Sequence, residues 1–398
     1  METQKEKEET NESNKNTIDS VIVDKIIEKI EKIREKNKDK TGEETLNDRM
    51  DQVAYAKILT NTYNKDIKYL IEAYTELGIC YLDNGYYDQA NEHLINALKL
   101  NENKSSDDNL SMKEYQIKIS VNLARSYLQN GKYDEAKKLC EKILYINKIL
   151  FGDYHPSNAD IYYILSKVNS QNENYTEAID NLRCMFEIYE KTYGFNSDRT
   201  AKICMELGRI YENWNKINES IEYYLNSYKI WENIINDDNY EILFEIAMKI
   251  SELYSKIKRG YESYDIIAQT EEKYSDKIER SLKDKVNYQK YRIELCANLK
   301  DMDLYLKENL KLEEILNNEN ENKKTLAKTC VTIAYIYLEN NDKNKGLEYL
   351  KKAKKIFSAY GDAKYSDELN KRIKELENDK KNENEKEKEK SDKSLIEY

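Results

Sequence analysis

The chain has 398 residues but only one proline, Pro156, and ten glycines; average usage would give about 20 and about 28. That shortage excludes collagen, proline-rich linkers and turn-dense β sandwiches. Histidine is nearly absent, with only His93 and His155. The six cysteines (Cys80, Cys140, Cys184, Cys204, Cys296 and Cys330) form no C-x-x-C pair and no tight framework, which excludes a zinc ribbon and a disulfide scaffold. No apolar run approaches the roughly 18 residues of a membrane span, and the first 16 residues lack the apolar centre of a secretory signal. These absences predict a chain without membrane insertion, in a reducing, cytoplasmic compartment.

Glycine-dependent chemistry is excluded by spacing. A phosphate loop, a dinucleotide fingerprint and a nucleophile elbow all need glycines at most five apart, whereas the nearest two here, Gly78 and Gly85, are seven apart. There is no H-E-x-x-H, and carboxylates are too numerous to single out an acid and a base. The expectation is a non-enzyme with no catalytic residue, no metal and no cofactor.

Charged residues make up 35% and apolar ones 39%, against about 25% and 45 to 50% in an ordinary domain, so the chain should be long amphipathic helices or disorder. Net charge is −11. Both ends are nearly balanced, so the excess acidity lies in the body, which argues against a nucleic-acid partner.

Internal repeats organise the chain. Tyr74, Leu77, Gly78, Tyr81, Gly85, Tyr87, Ala90, Leu94 and Ala97 recur as Leu123, Ala124, Tyr127, Gly131, Tyr133, Ala136 and Cys140. This is the tetratricopeptide pattern, in which small residues let two helices approach and a glycine ends the first of them. Leu123, Leu165 and Leu207 are 42 residues apart, as are Tyr133, Tyr175 and Ile217. Ile250, Ser251, Tyr254 and Ser263 continue one residue out of phase, the stretch from Cys296 to Tyr305 keeps mainly the register, and Ile333, Ala334, Tyr337, Gly346, Leu350 and Ala353 restore it.

Seven repeats are expected over 71–357. Around them, 17–62 reads as a degenerate hairpin or cap with stripes Ile18, Ile22, Ile26, Ile30, Ile33 and Leu46, Met50, Val53, Ile58. Tyr365, Leu369, Ile373 and Leu376 mark a capping helix over 363–377. Residues 1–16 and 378–398 are charged, of mixed sign and poor in apolar groups, so they are expected to be disordered tails.

The 42-residue spacing resembles kinesin light chain arrays, and Gly152, Tyr154, His155 and Pro156 with Ala159 are similar to that family's G-x-x-H-P segment. The resemblance covers about 290 residues. It implies an all-α tetratricopeptide repeat α-solenoid, a right-handed superhelix of helix-turn-helix hairpins whose first helices line a concave groove. Kinesin light chains also carry a motor-binding coiled coil; Ile18 to Ile33 spans barely two heptads, a weak coiled-coil signal. A looser similarity to small ciliary tetratricopeptide repeat proteins implies a cilium or cytoskeleton association.

On the first helix of the second repeat, Lys118, Asn122, Arg125 and Gln129 share one face opposite Leu123, Ala124 and Tyr127. The third repeat offers Lys167 and Gln171 there, and the fourth Lys202, Arg209 and Asn213. Arg125, Lys167 and Arg209 thus form a basic row, while Glu252 and Glu294 make the later register acidic. Such a groove suits an extended partner segment carrying carboxylates, its backbone held by Asn and Gln. The chaperone-tail clamp of some tetratricopeptide proteins is not matched, because Thr75, Ile79, Asp160 and Ile164 stand where it wants Lys, Asn or Arg. The expected function is an adaptor or scaffold that binds an acidic peptide. A peptide-gated regulator and a structural subunit of a ciliary or transport complex remain open. His93 is expected to be a surface or packing residue, His155 to order its loop, Cys140, Cys204, Cys296 and Cys330 to be buried thiols, and Tyr81, Tyr127, Tyr211, Tyr254 and Tyr337 to be core.

Overall fold

The computed structural model describes residues 2–38, 40, 42–104, 110–235, 240–277, 281–317 and 322–396. Within them the chain forms seventeen α-helices, two short 3-10 turns and no strand. After α1 (Glu2–Lys36) and α2 (Leu46–Tyr63) come seven helix pairs. They are α3 (Lys68–Asp83) with α4 (Tyr87–Lys104), α5 (Leu110–Gln129) with α6 (Tyr133–Phe151), α7 (Pro156–Gln171) with α8 (Tyr175–Tyr193), and α9 (Asp198–Asn213) with α10 (Ile217–Ile234). Then follow α11 (Glu241–Lys256) with α12 (Gly260–Tyr274), α13 (Leu282–Leu299) with α14 (Met302–Asn317), and α15 (Lys323–Glu339) with α16 (Lys343–Tyr360), before α17 (Ala363–Ile396). The chain divides into two compact units, Met1–Ile230 and Trp231–Tyr398.

One backbone device closes almost every hairpin. The amides of Tyr86, Lys132, Asn174, Lys216, Arg259 and Asp342 donate to the carbonyls of Tyr81, Tyr127, Asn169, Tyr211, Tyr254 and Tyr337 at 2.8 to 2.9 Å. This six-to-one bond ends a helix by way of one left-handed residue. Those residues are Gly85 and Gly131 in the first two turns, but Glu173, Asn215, Lys258 and Asn341 later, and Lys300 takes the same conformation after α13. The recurring tyrosines therefore mark the turn as well as the core. Tyr81 and Tyr211 are buried, while Tyr127, Tyr254 and Tyr337 are only half-buried.

Packing inside the pairs follows from small residues. A Cβ on Gly78 would lie 2.7 Å from Cγ of Leu94, and one on Gly208 2.8 Å from the Tyr224 ring. Where alanine gives way to serine, the hydroxyl is satisfied across the pair: Ser220 donates to the Gly208 carbonyl at 2.7 Å and Ser263 to the Ser251 carbonyl at 2.8 Å. Cys140, Cys204, Cys296 and Cys330 are buried, and desolvation pushes their thiols up to about 12, 11, 12 and 12.

At the start of the first unit the apolar stripes are borne out in part. Ile30 and Val53 are buried as expected, with Ile26 and Leu46 packed beside them, whereas Ile22, Met50 and Ile58 are exposed; Val23 on α1 and Ala56 and Leu59 on α2 join the cluster with α3 in their place. In the second unit Leu369, Ile373 and Leu376 cover α15 and α16 as a cap should, with Tyr365 stacked on Phe357. The helix does not stop at residue 377, and α1 likewise begins at Glu2. Residues 2–16 and 378–396, expected as disordered tails, are thus helical in backbone. Their Glu, Lys and Gln are good helix formers even without an apolar face. Met1, Glu397 and Tyr398 lie outside the described residues.

The weak sixth repeat has a polar core. Glu308, fully buried, accepts from Arg292 at 2.9 Å, Gln289 at 2.8 Å, Tyr264 at 2.9 Å and Lys311 at 3.2 Å. Burial pushes the Glu308 carboxyl up, but Arg292, Gln289, Lys311 and Tyr264 together hold it below its ordinary value. Small and apolar signature residues are replaced here by a buried ion pair, with Nε of Arg292 left without a hydrogen-bond partner, so the repeat loses its sequence mark and keeps its fold.

Candidate peptide-binding site

In the first unit the leading helices of successive pairs touch one another, α3 with α5 and α5 with α7. Lys118, Asn122, Arg125 and Gln129 recur at three- and four-residue steps on α5, so they share a face while Leu123 and Ala124 are buried. A cleft of about 330 Å³ opens between that face and the start of α7. Glu114, Lys118, Asn122 and Arg125 form one wall with Ile117 and Val121 at its base; Asn147, Phe151, His155, Ser157 and Asp160 form the other.

His155 orders this wall. Its Nδ1 lies 2.7 Å from Oγ of Ser157, its ring stacks on Phe151 at 4.8 Å, and it caps α7 ahead of Pro156. Beside it, Asn158 donates to the carbonyls of Gly152 and Asp153. This is the loop-ordering role expected from sequence. His93, by contrast, packs between Tyr74 and Tyr81, and desolvation holds its imidazole below the ordinary value.

Lys118 also borders a second cleft, of about 560 Å³, that sequence reading missed. Arg34, Lys38, Lys40 and Arg49, from the end of α1 to α2, line it together with Glu35 and Glu76. Arg49 donates to Glu76 at 2.6 Å and to the Asn37 carbonyl at 3.1 Å, and Arg34 pairs with Glu72 and Glu76. Tyr115 of α5 donates to the same Glu72 at 2.5 Å. The N-terminal helices are therefore part of this charged surface. No repeat-based register points to them.

The basic row does not stay together. Arg125 is exposed, whereas Lys167 lies 2.6 Å and Arg209 2.8 Å from the same Oε2 of Glu206. Glu206 is one turn before Arg209 and 39 residues beyond Lys167, and its one carboxylate pairs with both. Lys202 pairs with Asp198 at 3.0 Å along its own helix. Asn122 spends an amide hydrogen on the Lys118 carbonyl at 2.9 Å. Gln129, Gln171 and Asn213 are exposed at the ends of α5, α7 and α9. So the structure gathers Lys118, Asn122 and Arg125 in one cleft and sets Lys167 and Arg209 around a carboxylate.

Among the described residues no cluster of His, Cys, Asp or Glu is arranged to hold a metal ion, and no helix is long and apolar enough to cross a membrane.

Comparison with known proteins bears on the repeats that build this surface. The tetratricopeptide repeat family matches residues 71–104, 115–191, 201–230 and 327–360. Those matches span five helix pairs and omit α11 to α14, where the polar core lies. No curated protein matches the chain. Among solved structures, BtubC (BKLC) from P. vanneervenii is 16% identical over 59% of this chain and 94% of its own, with a TM-score of 0.50. The putative kinesin light chain repeats of Podosopora anserina are 17% identical over 62% and 96%, with a TM-score of 0.36. The apo form of RapI is 13% identical over 75% and 80%, with a TM-score of 0.45. The chain is an all-α tetratricopeptide-repeat protein with kinesin light chain-like repeats among its structural neighbours, a fold that serves in general as a protein–protein interaction scaffold.

Proposed function

We propose that the chain is a non-enzymatic adaptor that binds an extended, acidic segment of another protein along the α5 face of the first unit. The observation that carries this reading is the convergence of exposed Lys118 and Arg125 with Asn122 in one cleft. Arginine and lysine bind carboxylates through charge-assisted hydrogen bonds, and an extended peptide backbone is held by amide side chains. Asn122, which lines the cleft, supports that second task with its side-chain oxygen and remaining amide hydrogen. The cleft bounded by Arg34, Lys38 and Lys40 extends the basic surface toward the N-terminal helices, because Lys118 borders both. Six unpaired thiols suit a reducing, cytoplasmic setting.

The test is fluorescence anisotropy with a labelled ten-residue peptide carrying four glutamates around a tryptophan, at low and physiological salt. Lys118→Glu with Arg125→Glu should weaken binding at least tenfold, since each change replaces an attraction by a repulsion. Unchanged affinity would overturn the assignment of the site.

A further inference from the structure

The second unit carries a cleft of opposite chemistry. It has a volume of about 490 Å³ and lies between α11 and α13, the leading helices of the fifth and sixth pairs. Its floor is aromatic: Phe244 and Tyr288 meet edge to face at 5.5 Å, and Tyr291 is held by a 3.2 Å contact between its hydroxyl and Ser251. Met248 continues the floor one turn beyond Phe244. Along the rim, Glu241 and Glu245 stand one helical turn apart on α11, and Asp284 and Asn287 face them from α13. All four are exposed. Asp284 is fixed at the start of its helix, where its amide donates to Ser281 at 3.2 Å and its carboxylate accepts from the same hydroxyl.

The geometry points to a recognition site for a Lys- or Arg-bearing segment of a protein partner, independent of the acidic-peptide site in the first unit. Three rim carboxylates and no lysine or arginine line this cleft, in a chain where 65 residues are basic. The floor supplies a second, separate reason. A cation over an aromatic face is attracted by the ring, and the aliphatic stem of Lys or Arg covers apolar surface while its head reaches the carboxylates. Each rim carboxylate can accept a guanidinium fork, and glutamates one turn apart match the spacing of alternate side chains in an extended peptide. An acidic segment, the occupant proposed for the first unit, would be repelled here.

The experiment uses the full chain and three labelled eight-residue Gly-Ser peptides with two arginines, two glutamates or neither at the same positions, followed by fluorescence anisotropy. The arginine peptide should bind at least tenfold tighter than the other two. Glu241→Lys with Glu245→Lys should remove that preference. Glu314→Lys with Glu339→Lys makes the same change in net charge on exposed positions away from the cleft, and should leave the arginine peptide bound. Unaltered thermal melting of both double variants establishes that they fold. Two results would each overturn the proposal: no preference for the arginine peptide, or equal weakening by the two double variants.

Discussion

Lys167 Nζ stands 2.6 Å from Oε2 of Glu206, which belongs to the next repeat. That contact ties α7 to α9, and with Arg209 on the same oxygen it withdraws two cations from the row that the 42-residue register lays out. Of the three cations in that row, Arg125 alone stays clear of this carboxylate.

Removing that carboxylate should extend the basic surface. With Glu206→Gln, Lys167 and Arg209 are released, and affinity for the glutamate peptide is expected to rise about fivefold, the worth of ~1 kcal/mol for one charge-assisted contact near the surface. The gain should shrink as salt is raised. Anisotropy titrations at two ionic strengths check both, and a loss of affinity would show that Glu206 itself contacts the peptide.

The buried cluster around Glu308 should govern the acid stability of the second unit. Its carboxyl titrates below the ordinary value of 4.5 in the folded chain, so its contribution is complete at neutral pH and is lost as pH falls through the lowered folded value. Arg292→Leu leaves a buried carboxylate without its main cation and should cost about 3 to 5 kcal/mol at pH 7. Thermal melts from pH 7 down to pH 3 should show this loss narrowing as the carboxylate protonates.

The left-handed turn residues without glycine store removable strain. A non-glycine residue in that conformation costs ~1 to 2 kcal/mol, of which the added freedom of glycine in the unfolded chain takes back ~0.5 to 1 kcal/mol. Glu173→Gly, Lys258→Gly and Lys300→Gly should each stabilise the chain by about 0.5 to 1 kcal/mol. Gly131→Ala, placed at the same conformation with open space around it, should destabilise it by a similar amount. Denaturant titration reads all four.

The helix pairs were legible because Leu77, Gly78, Ala90 and their repeats combine small and bulky residues at fixed intervals that only a close helix contact requires. The turn was legible only at Gly85 and Gly131; further on, Glu173 and Lys258 do the same work with residues that carry no turn signal. Four-residue steps such as Ile18, Ile22, Ile26 drift by about 40° per step on a helix of 3.6 residues per turn. That drift puts Ile22 outside the contact and Val23 inside. Lys118, Asn122 and Arg125 were legible as one face because they lie within a single helix. The pairing of Lys167 with Glu206 was not, since it joins positions 39 residues apart and depends on how two helices face each other. The acidic register of Glu252 and Glu294 lies about two to three turns beyond the carboxylates of the cleft: Glu252 pairs with Lys249 at 3.6 Å, while Glu241, Glu245 and Asp284 form the rim. Arg292 and Glu308 read as ordinary solvated charges, and only tertiary packing reveals them as core.

The buried cysteines give the chain a built-in set of clocks. Cys80, Cys140, Cys204, Cys296 and Cys330 sit in five different helix pairs, all shielded from solvent and none in a disulfide. Cys80 lines the cleft beside Arg49 and is the one a thiol reagent meets first; each of the other four is reached only when its own pair opens. In an array where each pair is held mainly by its neighbours, opening is a local event. The order in which those four are alkylated is then a map of where the array loosens first, and a bound partner would be visible as the cysteines whose labelling it slows.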